Sequence, residues 1–183
     1  VAFPNLNLYF FFWVTIAGIT QIIFTVLLIT LFSHRSFAAG TAFSKTEVLQ
    51  AAIFEAIILG HIVDIKLGFA ILLGVIAVFL LSLEKSKLSY RNLITSLFTK
   101  QAALGLGSGA FLGFCTVAFR AATDSLESDN LIMKASITGG ISVLIQTLIM
   151  GAWMLRYAKN ELALTFINWK GSSIVGLFGA ITT

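Results

Sequence analysis

The stretch FAAGTAFSKTEVLQAAIFEAIILGHIV, residues 37–63, decides how this chain is read. It is apolar enough to be a membrane helix, yet it carries Lys45, Glu47, Gln50 and Glu55 within a few turns. A helix starting near Phe37 puts Lys45 about 12 Å and Glu47 about 15 Å along its axis. The hydrocarbon core of a bilayer is roughly 30 Å thick, so both residues fall near its middle. Ionisable groups at that depth are costly, and they usually face a cavity or a partner.

Composition points the same way. Of the 183 residues, 58% are hydrophobic and only 11% are charged, and seventeen are Phe. A water-soluble domain of this size needs polar cover that such a sequence does not supply. Long apolar runs, rather than short alternating segments, favour helices over a barrel. The expectation is an all-α, polytopic membrane protein. Because the chain begins at Val1 and closes within an apolar stretch, it reads as an internal piece of a longer protein. The lone Cys115 excludes an intrachain disulfide and a cysteine-based metal site, and no cofactor motif is present. The net charge of +4 is distributed as expected for membrane topology rather than for binding nucleic acid.

Taken in order, apolar segments cover residues 6–32, 37–63, 67–83, 101–122 and 131–155, and a sixth opens near Trp169. The basic stretch 84–100 is the longest charged gap and separates residues 1–83 from 101–183. Gly105, Gly109 and Gly113 recur at four-residue spacing, a face that admits a neighbouring helix closely. A phosphate-binding loop is the rival reading of these glycines, but no Lys-Ser/Thr pair follows them. Basic residues gather after the first, third and fifth segments, which the positive-inside rule assigns to the cytoplasm. About six alternating transmembrane helices result. Ala17-Gly18-Ile19-Thr20 and Gly179-Ala180-Ile181-Thr182 form a faint repeat, and five helices per repeat imply two oppositely inserted halves.

On a helical wheel Thr46, Glu47 and Gln50 fall within about a 100° arc, with Ser44 and Glu55 on the other flank and Lys45 nearly opposite Glu47. Not all of them can line one pore. A second reading takes Ser44-Lys45-Thr46-Glu47 as a capping box, with Ser44 as N-cap. The helix then covers residues 46–63, about 27 Å, a short but sufficient span. A broken helix beginning inside the membrane reconciles the two. Glu47 and Gln50 are the leading site candidates, with Lys45, Thr46 and Glu55 behind them. Gln21 stands between an interhelical bond and a cavity-facing role.

The run from Ser36 to Glu47, then Gln50-Ala51-Ala52-Ile53-Phe54 and Ile58-Leu59-Gly60, resembles the fourth helix of the EamA-like drug/metabolite transporter superfamily. On that resemblance residues 1–83 are the last three helices of a first repeat, and residues 101–183 begin a second. The resemblance implies a ten-helix, 5+5 inverted-repeat carrier with a central cavity. Two features depart from it. His61 stands where the family often has a glutamate, and the basic 84–100 loop conflicts with the family's usual topology.

The function expected from this reading is secondary transport of a small organic metabolite or drug-like solute by alternating access. Proton coupling at Glu47 accompanies it. The expected surroundings are the lipid bilayer of a bacterial inner membrane, with a homodimer as the accompanying assembly. Enzyme activity is not expected, since His34 and His61 belong to no metal or triad spacing. The alternative is a non-transporting membrane scaffold or complex subunit built on the glycine faces.

Overall fold

A computed structural model describes residues 4–33, 44–60, 64–66, 68–69, 71–74, 76, 100–171, 173–174 and 176. They form helices α1 (Leu8–Phe32), α2 (Glu47–Ile58), α3 (Lys100–Asp124), α4 (Leu131–Tyr157) and α5 (Lys159–Ile167). Residues 65–66, 68–69, 71–74 and 76 are also helical. The chain divides into two compact units, Val1–Ser142 and Val143–Thr183.

Helix α1 starts where Asn7, in an extended conformation, accepts a hydrogen bond from the Phe10 backbone N–H through its side-chain oxygen at 2.7 Å. That bond satisfies one of the orphan donors at the helix start. The Asn7 amide also donates to the Ser125 carbonyl at 3.3 Å, tying the start of α1 to the end of α3. Asn7→Ala loses both bonds, and the expected cost is about 1 kcal/mol in detergent-solubilised protein. A thermal melt unchanged from the parent would show that neither bond matters. Within α1 the hydroxyls of Thr20, Thr25 and Thr30 donate back to carbonyls four residues earlier, at 2.7–2.8 Å. In an apolar surrounding this is how such hydroxyls are satisfied without water.

Helices α1 and α3 pack antiparallel. Leu27 lies by Gly107, Ala17 by Cys115, and Asn7 by Ser125. Their contact is built from small residues, Ala17, Cys115 and Ala118, flanked by Trp13, Ile16 and Phe119. Helix α2 packs on α3 in the parallel sense, with Ser44 and Glu47 beside Gly109 and with Glu47 and Ala51 beside Gly113. Phe54 meets Phe114 edge to face at 5.5 Å. On α3, Gly109, Gly113 and Arg120 lie within about 40° of one another, and Cys115, Ala118 and Ala122 fall on nearly the opposite side. One helix therefore serves two neighbours.

The distribution of side-chain size explains where this unit belongs. Beside Phe10, Val14, Leu31, Val117 and Leu126, many buried positions are small or hydroxylic: Ala17, Thr20, Ala102, Ser108, Ala118, Ala122, Thr138 and Ser142. Exposed ones include Leu8, Phe12, Val26, Ile29, Leu131 and Ile132. Water would select the reverse, because apolar area gains most by leaving it. In lipid, small residues bring backbones together and large apolar ones meet the acyl chains. The chain is a helical, membrane-associated protein.

The acidic turn behaves as a helix–helix link. Leu126 is buried, and Asn130 caps α4 by accepting from the Met133 N–H at 3.1 Å. Thr123 donates to the Thr138 hydroxyl at 3.3 Å. In the second unit, the C-terminal part of α4 is followed after one residue, Ala158, by α5.

Two expectations are corrected here. Six transmembrane helices were expected, but among the described residues only three are long and apolar enough to cross a membrane: Leu8–Phe32, Ala102–Asp124 and Leu131–Tyr157. These coincide with three of the six apolar segments. The stretch 37–63 does not form one span, because its described helix has 12 residues, about 18 Å. Lys45 and Thr46 form a turn before it, and Gly60 follows it with φ at +69°. A positive φ suits glycine and ends the helical course. The second correction follows. A ten-helix 5+5 architecture needs the 37–63 stretch as a full span, and that span is missing. Residues 37–43, 77–99 and 177–183, which carry much of the other two segments, the basic loop and the second copy of the faint repeat, lie outside the described residues.

Candidate functional site

The polar residues of the short helix α2 gather against α3. Ser44 is helical, Lys45 and Thr46 turn, and the helix resumes at Glu47. Thr46, not Ser44, occupies the N-cap position, and its side chain makes no capping bond. The reason is visible in its partner: the Gln50 amide donates to the Thr46 hydroxyl at 2.8 Å. The N-cap of the helix is thus Thr46, two residues beyond the expected Ser44. The same Gln50 nitrogen lies 3.5 Å from the Leu106 carbonyl on α3, and Gln50 Oε1 is buried with no hydrogen-bond partner among the described residues.

The depth of this break follows from α3. Gly113 is the middle residue of the span Ala102–Asp124, and a Cβ placed there would lie 2.9 Å from the Glu47 carbonyl oxygen. The start of α2 thus lies level with the centre of a membrane-length helix, and α2 runs outward from there. Glu47 is half-buried and Lys45 is exposed.

Eight residues farther on, Glu55 meets a partner that its own stretch did not announce. Its carboxylate accepts a short charge-assisted hydrogen bond from the Arg120 guanidinium on α3. Arg120 Nε also lies 3.8 Å from Asp124, one turn on. Arg120 was legible as an isolated cation near the end of an apolar segment, with an acid at i+4. Its long-range partner was not. Among the sequence-derived candidates, then, Thr46 and Gln50 are joined to each other, Glu55 is joined to α3, Lys45 lies in the break and Glu47 follows it. Gln21 lies on α1, where its carbonyl accepts from Thr25 at 2.8 Å. Among the described residues no group of three or more His, Cys, Asp or Glu is placed to hold a metal ion.

The chain matches no known family model, no curated protein and no solved structure. The expected transporter is overturned on structural grounds. Alternating access needs two spanning bundles that rock about a shared cavity. The described chain instead has three candidate spans, and Gln50 and Glu55 bond to α3.

Proposed function

We propose that the chain is a non-catalytic module of a membrane assembly, holding helices together in the bilayer and associating with a second copy of itself. The observation that carries this reading is the use of α3 as a backbone-level docking surface. Gly109 and Gly113 admit α2 so closely that any side chain would collide with its main chain. Around that seam, Gln50 and Glu55 bond to α3. These are the devices by which helices recognise each other in lipid, where apolar burial gives no net drive.

Helix α4 supports the second copy. Its Gly139, Gly140 and Gly151 have the residue type that α3 uses, yet a Cβ at each meets nothing within 4 Å among the described residues. Beside them Val143, Leu144 and Leu148 are exposed. A bacterial inner membrane is the setting we propose.

The test is the mass of the full-length protein in mild detergent and in nanodiscs. The expected result is a species holding more than one copy, which Gly139→Leu converts toward single chains without lowering the thermal midpoint of the single chain. A single chain at every concentration tested would overturn the self-assembly reading.

A further inference from the structure

The geometry points to α5 (Lys159–Ile167) and Trp169 as an in-plane membrane anchor that binds anionic lipid headgroups. Five observations within the second unit carry this. Helix α4 ends in an interfacial signature: the Trp153 and Tyr157 rings lie 5.9 Å apart, and the Arg156 guanidinium sits 5.9 Å from the centre of the Tyr157 ring. Aromatic rings and cations of this kind mark the headgroup level at the end of a span. Only Ala158 separates α4 from α5, and its φ of −143° and ψ of 49° break the helical course there. Covalent continuity therefore holds α5 at the level where α4 leaves the hydrocarbon.

Helix α5 has no buried residue, although it is only 9 residues long. Isolated helices of that length are marginal in water, so a stable one needs a surface to lie on. Its sequence supplies the matching face. Leu162, Ala163, Phe166 and Ile167 fall within about a 140° arc bordered by Asn160 and Leu164, with Glu161 and Thr165 on the other side. Phe166, Ile167 and Trp169 are 72%, 73% and 58% exposed. Such an arc of large apolar side chains fits the headgroup–acyl boundary rather than water.

Charge selects the lipid. Arg156, Lys159 and Lys170 stand against the single acid Glu161 between residues 156 and 170, a net of +2. Basic residues beside a span belong on the cytoplasmic face, whose lipids are anionic. Lys159 falls within the apolar arc on the first turn of α5, from which its ammonium reaches outward to a phosphate while its stem stays on the acyl side.

The 183-residue chain carrying Trp13→Phe and Trp153→Phe keeps Trp169 as its only tryptophan, and quenching by brominated lipids then reads its depth. In vesicles of phosphatidylcholine and phosphatidylglycerol, lipids brominated near the glycerol end should quench most. Brominated phosphatidylglycerol should quench about twofold more than brominated phosphatidylcholine at equal fraction. That preference should vanish in Lys159→Gln/Lys170→Gln protein and at high salt. Absence of quenching, strongest quenching by bromines near the acyl terminus, or equal quenching by the two headgroups would each overturn the inference. If the tryptophan variant does not fold, a bimane probe at Ile167→Cys in a Cys115→Ala chain gives the same readout.

Discussion

Gly113→Ala lowers the thermal midpoint of the solubilised protein, whereas Gly151→Ala leaves it unchanged or raises it slightly. The two substitutions are chemically identical and both lie within membrane-length helices, so intrinsic propensity acts equally on them. Alanine is favoured over glycine in a helix by about 1 kcal/mol, a gain that appears alone at Gly151, where the added Cβ meets nothing within 4 Å among the described residues. At Gly113 the Cβ would lie 2.9 Å from both the Ala51 nitrogen and the Glu47 carbonyl oxygen. These are main-chain atoms, and they move only if the whole of α2 shifts. Overpacking of this kind costs about 1–3 kcal/mol, enough to outweigh the propensity gain. Larger residues at Gly113 should separate α2 from α3, and Gly109→Ala should behave like Gly113→Ala because its Cβ would come within 2.8 Å of the Ser44 carbonyl oxygen. The check is a parallel melt of the variants in one detergent. Equal midpoints for Gly113→Ala and Gly151→Ala would mean that α2 does not approach α3 so closely.

The contrast also shows what sequence can and cannot convey. Gly105, Gly109 and Gly113 announced a close helix contact through their spacing alone, because four residues return to the same face. Their spacing did not name the neighbour. Three membrane-length helices were equally legible, since each is a continuous apolar run longer than the bilayer requires. The stretch 37–63 misled for the same reason. Average hydropathy cannot register a turn at Lys45-Thr46 or a left-handed residue at Gly60, and both cut a run that is long enough on paper. The pattern Ser44-Lys45-Thr46-Glu47 placed the N-cap two residues early, since the helix takes Thr46 there. Helix α5 passed unnoticed since its apolar arc is only two turns long. Its period was there to be counted.

Charge reversal at Arg120 should destabilise the protein by more than removal of the charge, and reversal of Glu55 should recover part of the loss. Arg120 reaches two carboxylates, Glu55 on α2 and Asp124 on its own helix. Its side chain is 53% exposed and that of Glu55 is 23% exposed, so the pair is neither a free surface contact nor a buried one. Exposed pairs contribute up to about 1 kcal/mol, and breaking a buried pair costs roughly 3–5 kcal/mol. An intermediate value of about 1–2 kcal/mol is expected for Arg120→Gln. Arg120→Glu would set three carboxylates together at the edge of a span, and the expected cost rises to about 2–3 kcal/mol, since like charges repel where lipid limits screening. Glu55→Arg in that background restores the interhelical attraction with the polarity inverted, and it also meets Asp124. The double variant should therefore melt above Arg120→Glu alone, with a coupling of about 1 kcal/mol or more in a double-mutant cycle. Zero coupling would detach Glu55 from Arg120. It would leave the contact from Gln50 to the Leu106 carbonyl as a polar tie that still joins α2 to α3.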